Sequence, residues 1–111
     1  MLTDAMDPWT ALGDPSRRQI FRRLTERPRS VTELSSTLTI SRPAVSQHLK
    51  VLKEANLVTV HPQGTKRIYA VHRPGLAALR AELDGFWHTT LANLKELAEQ
   101  THLESTKEPR P

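Results

Sequence analysis

Between residues 15 and 55 the apolar positions recur every three or four residues, cut by capping residues and prolines into three short helical patterns. Ile20, Phe21 and Leu24 form the apolar face of the first, which Pro28 breaks. Ser30 and Glu33 have capping-box spacing, and the helix they open turns Val31, Leu34 and Leu38 inward, with Ile40 plugging the following turn. In the third, Val45, Leu49 and Leu52 fall at i, i+4 and i+7. Ser41 can cap that helix, Pro43 is tolerated in its first turn, and Asn56 suits a left-handed residue after its end near Ala55. A shorter start at Asp7-Pro8 precedes these helices and stops at Gly13, and Asp14-Pro15 repeats the same signal.

The period then changes. Leu57–His61 and Lys66–Val71 are rich in β-branched and aromatic residues, and Pro62-Gln63-Gly64-Thr65 joins them with turn chemistry, which predicts a hairpin. A lone hairpin is marginal in water, so it is expected to pack on the helices. From Pro74 the helical period returns, with Leu76, Leu79, Leu83, Phe86, Trp87, Leu91, Leu94 and Leu97 on one stripe that ends near Gln100. The remainder of so short a chain lacks the surface to cover this stripe, so the same helix of a second chain is expected to do so, with Trp9 joining the interface. The predicted fold class is mainly α with a two-stranded β-hairpin wing (α+β), a winged helix-turn-helix, dimeric through terminal helices. Its expected parts are a disordered lead over 1–6, a winged helix-turn-helix core over 7–73, a dimerisation helix over 74–100 and a flexible tail over 101–111.

Charge gives this scaffold a purpose. The 111 residues carry a formal net charge of +4, unevenly spread. Residues 13–73 hold twelve Lys/Arg against four Asp/Glu, a net +8, whereas residues 1–12 and 74–111 each come to −2. A localised basic surface is the electrostatic footprint of nucleic-acid binding. The helix opened by Ser41 lies at its centre, with Arg42, Ser46, Gln47 and Lys50 opposite the apolar stripe and no acid among them. A short helix followed closely by such a helix is the arrangement that enters the DNA major groove. Arg pairs bidentately with guanine and Gln with adenine, Pro43 and Ala44 suit thymine methyls, and Lys50 fits phosphate or base. His48 is either a base contact or a structural histidine at the edge of the core stripe. Ser16, Arg17 and Arg18 at a helix start are either phosphate contacts, through backbone N–H groups and charge, or a solvated face. Gln63, Gly64, Thr65, Lys66 and Arg67 form a basic wing tip suited to phosphate or the minor groove. Arg22, Arg23, Arg27 and Arg29 are expected to be solvated charge.

Leu12–Arg18, Ser30–Leu34, Ser41–Leu52, Asn56-Leu57-Val58 and the wing Gly64–Tyr69 together resemble the ArsR/SmtB-type bacterial transcriptional repressors, over roughly residues 8–100. The resemblance implies a homodimer on a pseudo-palindromic double-stranded DNA operator, usually near its own promoter, released by a metal, another signal or a change in cell state. Metal-sensing members carry a Glu-Leu-Cys-x-Cys box; here the matching stretch is Glu33-Leu34-Ser35-Ser36-Thr37. Hydroxyls do not replace thiolates for soft metals, so the chain resembles the cysteine-free branch, in which Phe86-Trp87 and the leucines after it are typical.

The absence of cysteine excludes disulfides and thiolate metal sites. Asp84 and His88, with His102 and Glu104, could meet across an antiparallel dimer as a hard-ligand zinc site, but an i, i+4 Asp/His pair is more often a surface contact. No cofactor is therefore expected. No activated nucleophile, carboxylate pair or glycine-rich phosphate loop appears, which argues against an enzyme. The opening residues lack a signal-peptide pattern and no run reaches the ~18 apolar residues of a membrane span, so a cytoplasmic protein is expected. The rival reading is a protein-interaction module whose basic surface is incidental. The effector is not readable.

Overall fold

The structure, a computed structural model, describes residues 6–107. Five helices and one hairpin follow in the order α1 (Pro8–Gly13), α2 (Pro15–Glu26), α3 (Val31–Thr37), α4 (Arg42–Glu54), β1 (Val58–Gln63), β2 (Lys66–Val71) and α5 (Arg73–Lys107). Each of the first four helices begins where a side chain takes up its free N–H groups. Asp7 accepts from Thr10 N, Asp14 from Ser16 N and Arg17 N, and Ser41 from Ala44 N. Ser30 and Glu33 close the capping box on α3 from both sides.

The chain forms two units, the first ending at Leu79 and the second beginning at Arg80. In the first unit, Ile20, Leu34, Val45, Leu49, Leu52 and Leu57 are fully buried. They come from α2, α3, α4 and the turn after α4, so the apolar face of α4 is a shared wall of the core. Asn56 adopts a left-handed φ of 65°, which lets the chain turn from α4 into β1. β1 and β2 pair antiparallel from Val58↔Val71 to Gln63↔Lys66. The strand takes in Pro62 and Gln63, which the turn chemistry had placed in the connection, and leaves a two-residue turn. Proline is tolerated there because a two-stranded ribbon is all edge. Gly64, at φ 63°, supplies the positive dihedral at the first turn position.

The wing is held to the helices by backbone. Arg29 and Tyr69 exchange hydrogen bonds of 3.0 and 2.8 Å, so the α2–α3 link adds a one-residue bridge to β2. His72 N donates to Leu57 O at 2.8 Å, which fixes where α5 starts. A Cβ on Gly75 would lie 1.7 Å from Asn56 O. Only a glycine lets α5 lie this close to the α4–β1 turn.

Three expectations are corrected. Leu79 is 8% exposed and belongs to the core of the first unit, with the half-buried Leu76 packed against it, so Leu79 is not part of the exposed stripe. The core accordingly extends past 73 to Leu79. Helix α5 continues to Lys107 instead of ending near Gln100, because no proline or glycine follows until Pro109. Of the expected lead, Met6 is half-buried against the core, and residues 1–5 lie outside the described residues, as do 108–111 of the expected tail. In the second unit Leu83, Phe86, Trp87, Leu91, Leu94 and Leu97 are between 45% and 63% exposed. Among the described residues, no helix is long and apolar enough to cross a membrane.

Candidate nucleic-acid interface

The cations of the first unit divide into two groups, those with partners inside the protein and those without. One group is tied up inside the fold. Arg17 Nε donates to Ala11 O at 2.8 Å and Arg18 Nη1 to Leu12 O at 3.0 Å, so both caps close the open carbonyl end of α1. Arg27 pairs with Glu33 at 3.0 Å and Arg23 approaches Glu26 at 3.9 Å. Arg29 is buried, donating to Arg23 O and pairing with Glu26 at 2.8 Å. It is thus no solvated charge but the pin between the end of α2 and the wing.

The other group has no hydrogen-bond or ion-pair partner among the described residues. On α4 it comprises Arg42, Lys50 and Lys53, all exposed, together with the exposed Ser46 and Gln47. On the hairpin it comprises Lys66 and Arg67, exposed at the tip beside Gln63, Gly64 and Thr65. Arg22 and Arg73 complete it, on α2 and at the start of α5. Charged donors without protein partners on a helix face and a hairpin tip are what a polyanion needs.

The backbone of α4 serves the same end. Val45, Leu49 and Leu52 have no exposure, so the helix cannot rotate about its axis without opening the core. Arg42, Ser46, Gln47 and Lys50 are therefore held outward, with Pro43 exposed and Ala44 half-buried at the N-terminal end. Ser41, itself exposed, caps that end with a 3.3 Å hydrogen bond to Ala44 N. His48 is half-buried and lies near enough to Asp14 for its charge to help lower that carboxyl. It sits where α4 meets the start of α2, at the rim of the face.

The start of α2 is differently disposed from what its sequence promised. Asp14 Oδ1 already accepts from Ser16 N at 2.8 Å and Arg17 N at 3.1 Å, so those amides are not open to phosphate. The Arg17 amide is the main reason the Asp14 carboxyl is held below its ordinary range, against a smaller opposing effect of burial. Glu33 is lowered for a similar reason, first by the Ser30 amide and then by Arg27. A local capping reading of Asp14 was available in the sequence, but the carbonyl partners of Arg17 and Arg18 were not.

Where metal-sensing thiolates would stand, hydroxyls turn back on the helix. Ser35 Oγ donates to Thr32 O, and Thr37 Oγ1 to Leu34 O at 3.2 Å. Asp84 faces Arg80 at 3.9 Å in the second unit. Among the described residues, no three side chains of metal-binding type gather.

A family model described as a helix-turn-helix domain matches residues 12–61. The chain is similar to the HTH-type transcriptional regulator Rv2034 of Mycobacterium tuberculosis, at 53% identity over 80% of this chain and 83% of that one. It also resembles the crystal structure of a "possible transcriptional regulator for arsenical resistance", with a TM-score of 0.69 and 40% identity, covering 82% of this chain and 95% of the other. A third likeness is to the solution structure of the homodimeric winged helix-turn-helix DNA-binding domain Mb0332 of Mycobacterium bovis, a possible ArsR-family regulator. There the TM-score is 0.60 at 25% identity, with 72% and 74% of the two chains covered.

Proposed function

The chain belongs to the ArsR/SmtB-type family of winged helix-turn-helix transcriptional regulators, and from that premise we propose that it acts as a homodimeric repressor on a pseudo-palindromic operator. The observation that carries this reading is the unpartnered polar face of α4: Arg42, Ser46, Gln47 and Lys50 point outward from a helix whose other side is locked in the core. Arg42 and Gln47 read base edges in the major groove, and Lys50 holds phosphate or base. Lys66 and Arg67 on the wing bind the flanking backbone. Arg17 and Arg18 act indirectly, by joining α1 to α2.

The exposed stripe of the second unit supplies the dimer contact. Leu83, Leu91, Leu94 and Leu97, with Phe86 and Trp87, are large apolar side chains at helical spacing, and exposing them costs free energy that a second copy of the helix removes. Two α4 helices related by a two-fold axis then meet successive major grooves, with half-sites ~34–36 Å apart.

Fluorescence anisotropy on DNA from upstream of the gene, against a scrambled duplex, tests the reading. Wild-type protein is expected to prefer the upstream DNA, and Gln47→Ala to lose part of that preference without losing fold. Equal binding to both duplexes by the wild type would remove the regulator reading and favour the protein-interaction module.

A further inference from the structure

One groove of the first unit is lined by none of the α4, wing-tip or exposed-stripe residues described above. It has a volume of about 400 Å³ and lies between the end of α2, the base of β2 and the start of α5. Leu24, Pro28, Ala70, Val71 and Leu76 give it an apolar lining, and Arg73 joins them. Its size falls within the ~300–1,000 Å³ range of small-molecule sites.

The charges around it do not cancel. Glu26 lines the groove but is tied to Arg29 at 2.8 Å and approached by Arg23 at 3.9 Å. Arg27 lines it too and is held by Glu33 at 3.0 Å. Arg73 has no hydrogen-bond or ion-pair partner among the described residues, and it opens α5, where the helix dipole adds partial positive charge. One uncommitted guanidinium beside an apolar lining is complementary to one anionic group on an apolar body. We infer that this groove is a binding site for a small apolar carboxylate, with the carboxylate on Arg73 and the hydrocarbon against Leu24, Ala70, Val71 and Leu76.

The position of the groove gives such a ligand leverage. Its walls include β2, which carries the Lys66-Arg67 wing tip, and the 27–28 link beside the Arg29–Tyr69 bridge that ties the wing to α2. Filling it pushes on the elements that set the wing against the helices. As an effector site it rests on the DNA-binding reading above; as a binding site it does not.

The test uses 2-naphthoate as probe, with its uncharged methyl ester as control, followed by amide chemical shifts on the full chain. The expected result is saturable shifts centred on Leu24, Ala70, Val71 and Leu76, at least tenfold weaker binding of the ester, and a similar loss in Arg73→Gln. Ala70→Leu, which adds bulk to the lining, is expected to block binding while thermal melting reports that it folds. Shifts centred elsewhere, equal binding of the ester, or an unchanged Arg73→Gln would overturn the proposal. So would no binding at all, as when a second copy of the chain fills the groove. The operator assay is then repeated with and without naphthoate. Binding in the groove without an effect on DNA would remove the effector role, while loss of all DNA binding by the wild type would strike the DNA reading and leave the binding site intact.

Discussion

Gln47 and Arg17 show how far a residue's type is from its role. Both are polar and both lie in the basic half of the chain, yet Gln47 has no partner among the described residues and Arg17 closes the end of α1. Gln47→Ala is therefore expected to reduce discrimination at one base pair by ~1–3 kcal/mol, read as the ratio of operator to scrambled binding. Arg17→Ala is expected to lower thermal stability and leave the salt slope of DNA binding unchanged; a slope reduced by about one would return Arg17 to the phosphates. The caps add a pH dependence. Asp14 and Glu33 have folded pKa values lowered below those of the unfolded chain. Their contribution is thus fully present above about pH 5 and is lost as pH falls through the folded values. Melting temperatures measured from pH 7 down to pH 3 are expected to fall less steeply in Asp14→Asn/Glu33→Gln than in the wild type. An equal fall in both would show that neither cap carries the dependence.

At the scale of elements, what was legible in the sequence was whatever depended on neighbours three or four residues away. The caps at Asp7, Asp14, Ser30 and Ser41, the stripe of α4, and the left-handed Asn56 are of this kind. The solvent face of α4 follows directly from that stripe, so the residues that carry the proposed readout were legible too. Contacts between distant segments were not. Nothing near Gly75 announces that Asn56 O lies where its Cβ would be, and nothing near Arg29 announces Tyr69. Leu79 fits a continuous stripe equally well whether a partner chain or its own core covers it. Gly75→Ala is expected to destabilise the first unit by ~1–3 kcal/mol or more, since the obstructing atom is backbone. Urea unfolding with an unchanged midpoint would contradict the close approach of α5 to the α4–β1 turn. For the wing, Lys66→Ala with Arg67→Ala is expected to lower the salt slope of DNA binding by up to ~2. An unchanged slope would take the hairpin tip out of the interface.

The whole molecule joins a helix that is locked on one side to a helix whose apolar side chains are exposed from Leu83 to Leu97. In the proposed dimer, two copies of the first unit give two reading faces, held together by the second unit's stripe. Leu94→Glu with Leu97→Glu is expected to yield a monomer by sedimentation, with the first unit still folded and operator affinity much reduced; a dimer that survives would move the interface elsewhere. The most direct measurement is selection of bound duplexes from a random-sequence pool, followed by sequencing. The expected result is an inverted repeat whose half-site centres lie about one helical turn apart, ~34–36 Å, with base preference lost at defined positions in Arg42→Ala and Gln47→Ala. A pool that shows no enriched repeat, or the same repeat with both variants, would contradict it.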